Sequence, residues 1–312
     1  MPLFAAAAVS VACHLTDPAI AESSGAARAP EPAWIYTHND SGDGARFFAV
    51  DRTCRTIGTW RLRSVAAVDW EDMATGPGAT LWFGDIGDNR SSRDHVSLYR
   101  VDGASLPASG ATVASTRVDL RYDDGPHDAE TLLVHPTDGR VWVVTKSLDG
   151  EAGVYAADLG AGTLHRVAAL DLDLGGATGG DISPDGGKVV IRTYLAAYEW
   201  RVTGGDVVGA LTSGRSASTA LVTSEQGEGI AYVDDDSLVT TAEGDGAAVR
   251  TFASQVVDDP STTASLAPSP GATRPPSDGG GDDPPWWVLG AGGAALAVVV
   301  GALVARARRR GE

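Results

Sequence analysis

Glu130-Thr-Leu-Leu-Val-His-Pro-Thr-Asp-Gly-Arg-Val-Trp-Val-Val144 sets an acid ahead of an apolar run, a Pro and Asp-Gly turn, and a second β-rich apolar run. The same order begins at Glu22 (ESSGAA, then WIYT), Glu71 (EDMATGPGATLWFG), Asp181 (DISPDGGKVVIRT) and Glu228 (EGIAYVDDDSLVTT). The steps between the five acids are 49, 59, 51 and 47 residues, and a period near 50 that carries several short strands marks a propeller blade. A third strand is expected at 47–50, 98–101, 154–157 and 198–202, and a fourth at 56–62, 113–120 and 165–170. The expectation is an all-β fold, a β-propeller of five four-stranded blades, with a six-bladed ring holding one degenerate unit as the alternative. The fifth repeat has room for three strands only, so residues 13–20 are expected to supply its outer strand and close the ring.

The remaining segments divide the 312-residue chain. Residues 1–12 are short, apolar and end in small residues, like a signal peptide without its basic start. The ectodomain is expected over 13–257, followed by a disordered Pro/Gly/Ser-rich stalk over 258–285. Residues 286–304 carry no charge and as a helix span roughly 28 Å, long enough for a transmembrane segment. The tail 305–312 holds Arg306, Arg308, Arg309 and Arg310, which places it in the cytoplasm and the ectodomain outside a single-pass cell membrane. Cys13 and Cys54 are the two cysteines, and in an oxidising compartment such a pair reads as a disulfide. A net charge of −17 leaves no basic stripe for phosphates and excludes nucleic acid as a partner.

In a four-stranded blade, the loop entering the first strand and the loop joining the second to the third share one side of the ring. The metal-ligand candidates Glu22, Glu71, Glu130, Asp181 and Glu228 occupy the first place, with Asp85 nearby. Asp40, Asp88, Asn89, Lys146 and Arg192 occupy the second and are ligand-binding candidates. A ring of carboxylates repels itself unless protonated, hydrogen-bonded or neutralised, and calcium suits such oxygen ligands. Two other readings stand beside it: each acid caps backbone N–H groups of a neighbouring blade, or the acids perform acid–base catalysis. Lys146 and Arg192 either bind phosphate or offset the acids, and His38 and His127 flank the acidic face. There is no Gly-x-Ser-x-Gly elbow, His-Glu-x-x-His, P-loop or Cys-rich cluster.

Glu22-Ser-Ser-Gly, Thr37-His-Asn-Asp-Ser-Gly, Phe47-Phe-Ala-Val-Asp51, Trp70-Glu-Asp-Met-Ala74, Gly84-Asp-Ile-Gly-Asp-Asn89 and Asp128-Ala-Glu130 resemble segments of actinobacterial secreted β-propeller proteins, distant relatives of phytase-like and WD-repeat propellers. The resemblance runs roughly over residues 13–252 and implies a propeller. In the phytase-like relatives, calcium and phosphate share a polar face. Two functions follow as expectations. One is a membrane-tethered extracellular binding or interaction module with a calcium-binding acidic face for an extracellular ligand. The alternative is a calcium-dependent phosphoesterase or related hydrolase.

Overall fold

Glycines stand in the first strands where neighbouring first strands approach closely. A Cβ on Gly25 would lie 2.7 Å from the Met73 nitrogen, and one on Gly179 would lie 2.6 Å from the Glu228 carbonyl oxygen. Only glycine permits that contact. The computed structural model describes residues 8–147, 151–172, 176–222 and 225–256. The stalk, the candidate transmembrane span and the basic tail expected over 258–312 lie outside the described residues.

After β1 (Ser10–His14), the chain forms β2 (Ser23–Arg28), β3 (Ile35–Asn39), β4 (Arg46–Val50) and β5 (Thr56–Leu62), paired in sequence order. Next come β6 (Trp70–Gly76), β7 (Thr80–Asp85) and β8 (Val96–Asp102). The expected strand 113–120 is divided into β9 (Thr112–Val113) and β10 (Thr116–Tyr122). Here β9 joins the edge of β5 in the preceding sheet, while β10 completes β6–β7–β8. A third run comprises β11 (Ala129–Val134), β12 (Val141–Thr145), β13 (Glu151–Asp158) and β14 (Thr163–Asp171), and a short parallel pairing of β10 with β14 fuses it to the second. The fourth run is β15 (Ala177–Ile182), β16 (Lys188–Thr193), β17 (Ala196–Arg201) and β18 (Ala217–Ala220), with the short helix α1 (Val207–Leu211) before its last strand. The last is β19 (Gly227–Tyr232), β20 (Ser237–Ala242) and β21 (Ala248–Ala253), and β1 pairs antiparallel with β21.

β2 packs between β6 and β19, β11 between β6 and β15, and β15 between β11 and β19, so the first strands form a closed, propeller-like ring. Every residue of β11, β15 and β19 is buried, whereas β5 alternates between buried and exposed positions. That contrast follows from position: an inner strand has neighbours on both faces, an outer one on a single face. Between the first two repeats an aromatic layer fills the gap, with Phe47 stacked on Trp60 at 5.2 Å and Trp70 on Phe83 at 5.0 Å.

The closing strand sits earlier than expected. Ser10–His14 pairs with β21, and residues after it leave the sheet because Pro18 has no N–H and Asp17 forms a turn, accepting from Ala19 N at 2.9 Å. The apolar segment read as a signal therefore ends inside β1. Cys13 and Cys54 are bonded, tying β1 to the turn that follows β4. A disulfide across 41 residues contributes about 4 kcal/mol on the chain-entropy account. Among the described residues no helix is long and apolar enough to cross a membrane.

Asp72 reaches across the ring from β6. Its Oδ2 accepts from Leu132 N of β11 at 2.9 Å and from Gly180 N of β15 at 3.2 Å, and its Oδ1 accepts from Met73 N at 2.8 Å. The residue is wholly buried, and burial pushes its carboxyl well above the usual range although three N–H groups oppose this. Asp72→Ala takes the side-chain acceptor from three buried N–H groups, two of them on other first strands, and we expect a loss of about 1–3 kcal/mol for each of those two, read from urea unfolding. An unchanged midpoint would mean that burying this acid costs as much as its bonds return.

Candidate functional site

The register of every first strand breaks at the same level. The irregularities fall between Ser23 and Ala26, Trp70 and Asp72, Ala129 and Thr131, Ala177 and Gly179, and Gly227 and Ile230. Equivalent bulge residues are therefore Ser24, Glu71, Glu130, Thr178 and Glu228. A bulge redirects its side chain out of the pleat, which delivers this layer to one end of the ring. Two of its members are hydroxyls bonded to the next strand's backbone: Ser24 Oγ donates to the Glu71 carbonyl at 2.6 Å, and Thr178 Oγ1 to the Gly227 carbonyl at 3.2 Å.

Three of the five expected acids thus share a level, and two do not. Asp181 lies three residues deeper than Thr178, where Oδ2 accepts from Tyr232 N of β19 at 2.9 Å and Oδ1 from Ile182 N at 2.8 Å. It is an inter-strand cap, with burial pushing its carboxyl up to about 7. Glu22 precedes β2 and bridges to Glu243 at the rim. Sequence spacing of about 50 residues cannot resolve a shift of two or three, and in a strand such a shift changes both depth and face.

Glu71 instead meets two loop acids. Ligand atoms of Asp40, Asp69 and Glu71 all lie within 4.8 Å of one another. A side chain on Gly87 would overlap Glu71 Oε1 and Asp69 Oδ2, so both carboxylates press on the same backbone point. Among the described residues, no hydrogen bond reaches the side chain of either Asp69 or Glu71. Burial pushes Asp69 up to about 7, helped by the charges of Asp40 and Asp128 against the pull of Arg93. Burial also holds Glu71 well above its usual range, reinforced by Glu130, Asp40 and Asp69.

The other two glutamates are compensated. Glu130 Oε1 is bonded to the Lys146 ammonium, which donates to Tyr194 Oη at 3.1 Å. Tyr194 Oη donates to Glu228 Oε1 at 3.4 Å, and Gln226 Nε2 donates to the same oxygen at 3.0 Å and to Glu243 Oε1 at 2.8 Å. Burial lowers the Lys146 pKa, but Glu130, Tyr194 and Glu228 outweigh it and keep the amine charged. Burial likewise raises Glu130 more than Lys146 lowers it.

Several expected ligands hold the framework. Arg192 is buried beneath the β19 bulge, and Nη1 donates to the carbonyls of Gly229 at 2.8 Å and Thr241 at 2.9 Å. Asp85 accepts from Val68 N at 3.2 Å, from Asp69 N at 3.1 Å and from Arg93 Nη2 at 2.9 Å, which fixes the loop carrying Asp69. Asp88 accepts from Ser92 N and Arg93 N, and its own N–H donates to Asp128 Oδ1 at 2.7 Å. Asn89 is exposed on that loop, and Asp40 alone of these candidates joins the trio. His38 packs edge-on to Trp70 and is held neutral by burial, which lowers it to about 4; His127 is bonded to Asp124 and Tyr155, each at 2.9 Å. Asp69 and Asp128 escaped the sequence reading. Each stands two residues before a bulge glutamate, a same-side spacing in a strand that was the available signal.

No protein-family model matches the chain, and no curated protein sequence matches it. Among solved structures, the PQQ-bound aldose sugar dehydrogenase of Streptomyces coelicolor aligns with a TM-score of 0.46 and 12% identity, covering 80% of this chain and 98% of that one. The hydrazine synthase of Kuenenia stuttgartiensis aligns with a TM-score of 0.39 and 18% identity, covering 72% of this chain and 56% of that one. Likeness at this distance transfers no activity, so the residues of the site carry the functional reading.

The raised acids set a direction for pH dependence. Unfolded, Asp69 titrates at about 3.9, whereas the folded value is about 7. Between these values the folded chain binds the extra proton, so this group favours folding at low pH and opposes it progressively as pH rises. His38, lowered to about 4, acts in the opposite sense, so a single-residue comparison is needed. In chelator, Asp69→Asn is expected to gain melting temperature relative to the parent as pH is raised from about 4.5 to 7.5. A constant difference across that range would show that the half-buried Asp69 carboxyl is not raised in the folded chain.

Proposed function

We propose that the protein is a five-bladed β-propeller acting as an extracellular binding module, tethered to the cell membrane by residues 286–304, with calcium held on its acidic face by Asp40, Asp69 and Glu71. The observation that carries this reading is the convergence of three carboxylates within 4.8 Å, one of them buried, with no hydrogen-bond donor on Asp69 or Glu71 among the described residues. Carboxylates so placed gain from a hard divalent cation that neutralises them together, and calcium accepts such oxygen ligands with waters completing its shell. The Cys13–Cys54 bond and the charge-free segment followed by arginines favour an exported, anchored chain. The hydrolase alternative has less support, because its two phosphate-binding candidates are engaged: Lys146 by Glu130 and Arg192 by backbone carbonyls.

Calcium titrated into the full chain in detergent is expected to raise the melting temperature in proportion to the logarithm of its concentration above the dissociation constant. Glu71→Gln and Asp69→Asn should remove that response while the β circular dichroism persists. Identical melting curves in calcium and in chelator would overturn the cation site.

A further inference from the structure

We infer that Lys146 is a tethered cation that occupies one half of the acidic ring mouth, so that the site takes a single divalent ion on the Asp40–Asp69–Glu71 side and Lys146 limits how many ions bind and how tightly. This rests on the cation-binding reading above.

The asymmetry is visible within one structural layer. Glu71, Glu130 and Glu228 stand at equivalent bulges, yet the ammonium reaches Glu130 directly and Glu228 through Tyr194, and makes no bond to Glu71. Lys146 is held for this task at both ends. Its backbone N–H donates to the Asp128 carbonyl at 3.0 Å, and its Nζ stands 5.3 Å from the centre of the Tyr194 ring. Arg192, from the neighbouring repeat, turns instead to the backbone of β19 and β20.

Glu130 marks the boundary between the two halves. Its Oε1 meets Lys146, while its Oε2 is buried with no hydrogen-bond partner. Glu130 and Glu71 stand at equivalent bulges of adjacent first strands, and among charges Glu130 acts most strongly on Glu71. A buried carboxylate oxygen without a donor is costly, and it points to a cation or water beside it. Removing the ammonium leaves both oxygens of Glu130 without a hydrogen-bond donor and takes away the cation that Glu228 meets through Tyr194, which vacates oxygen ligands for a second cation. It also removes a positive charge that repels a divalent ion at the first.

The test is calorimetric titration of calcium chloride into the full chain in detergent, with the parent, Lys146→Met and the charge-retaining Lys146→Arg. One ion is expected for the parent. Lys146→Met is expected to bind two, or to bind its first ion on the order of tenfold more tightly or better. Lys146→Arg should return to one ion at parental affinity. Lys146→Gln, which keeps a donor toward Glu130, supplies the same comparison if the methionine variant does not fold. If the parent binds one ion and the uncharged variants match it in number and affinity, the role of Lys146 is overturned while the cation site stands. If the parent binds none but the uncharged variants bind calcium, the acid trio fails as a site and Lys146 is confirmed as the occupant. If no variant binds calcium, both fail.

Discussion

Five strands drawn around one axis leave each other almost no room, and that crowding shapes the rest of the molecule. It requires glycine where Gly25 faces Met73 and where Gly179 faces the Glu228 carbonyl. It brings backbone N–H groups of separate repeats within reach of one carboxylate, so that Asp72 can serve β11 and β15 together. It also buries whatever acids the inner strands carry. In water these carboxylates would be well solvated neighbours; inside the ring mouth their desolvation and mutual repulsion become the dominant local energies.

The acids answer that pressure in different ways. Asp72 and Asp181 are satisfied by backbone N–H groups, Glu130 at one of its two oxygens by an ammonium, and Glu228 by a phenol and an amide. Glu71 and Asp69 have none of these partners among the described residues, and beside Asp40 they form the trio on which a divalent ion would act. The acids of the ring therefore fall into two groups, structural caps and carboxylates without such partners. They are divided by depth: caps lie within the ring, and candidate ligands lie at the bulge level and in the loops above it. Stored repulsion at a ring mouth links ion binding to fold stability, since an ion that relieves it favours the folded state.

Closure supplies the rigidity that such a site needs. β1 crosses from the start of the chain to β21, and the Cys13–Cys54 bond holds it beside the first repeat. Leu15 and Ile20 pack with Trp34, Phe48 and Val249, so strand pairing, a covalent bond and apolar burial coincide at one seam.

Residue patterning alone determined the all-β class, the repeat near 50 residues, the placement of most strands and the pairing of Cys13 with Cys54. Each depends on local alternation, turn chemistry or a choice among two cysteines. Tertiary structure decided which acids meet. Asp181 stands in a repeat at nearly the right spacing yet caps Tyr232, because one bulge sets which residue turns toward the mouth. Asp69 was overlooked because it belongs to a loop, and Asp85, the more conspicuous acid, braces that loop through two N–H groups and Arg93. Lys146 and Arg192 occupy matching loop ends in sequence but have opposite fates, one facing the acids and the other turned into the backbone. A repeat period tells which strand a residue belongs to; register, side-chain reach and the charges of neighbouring repeats exist only once the ring is closed.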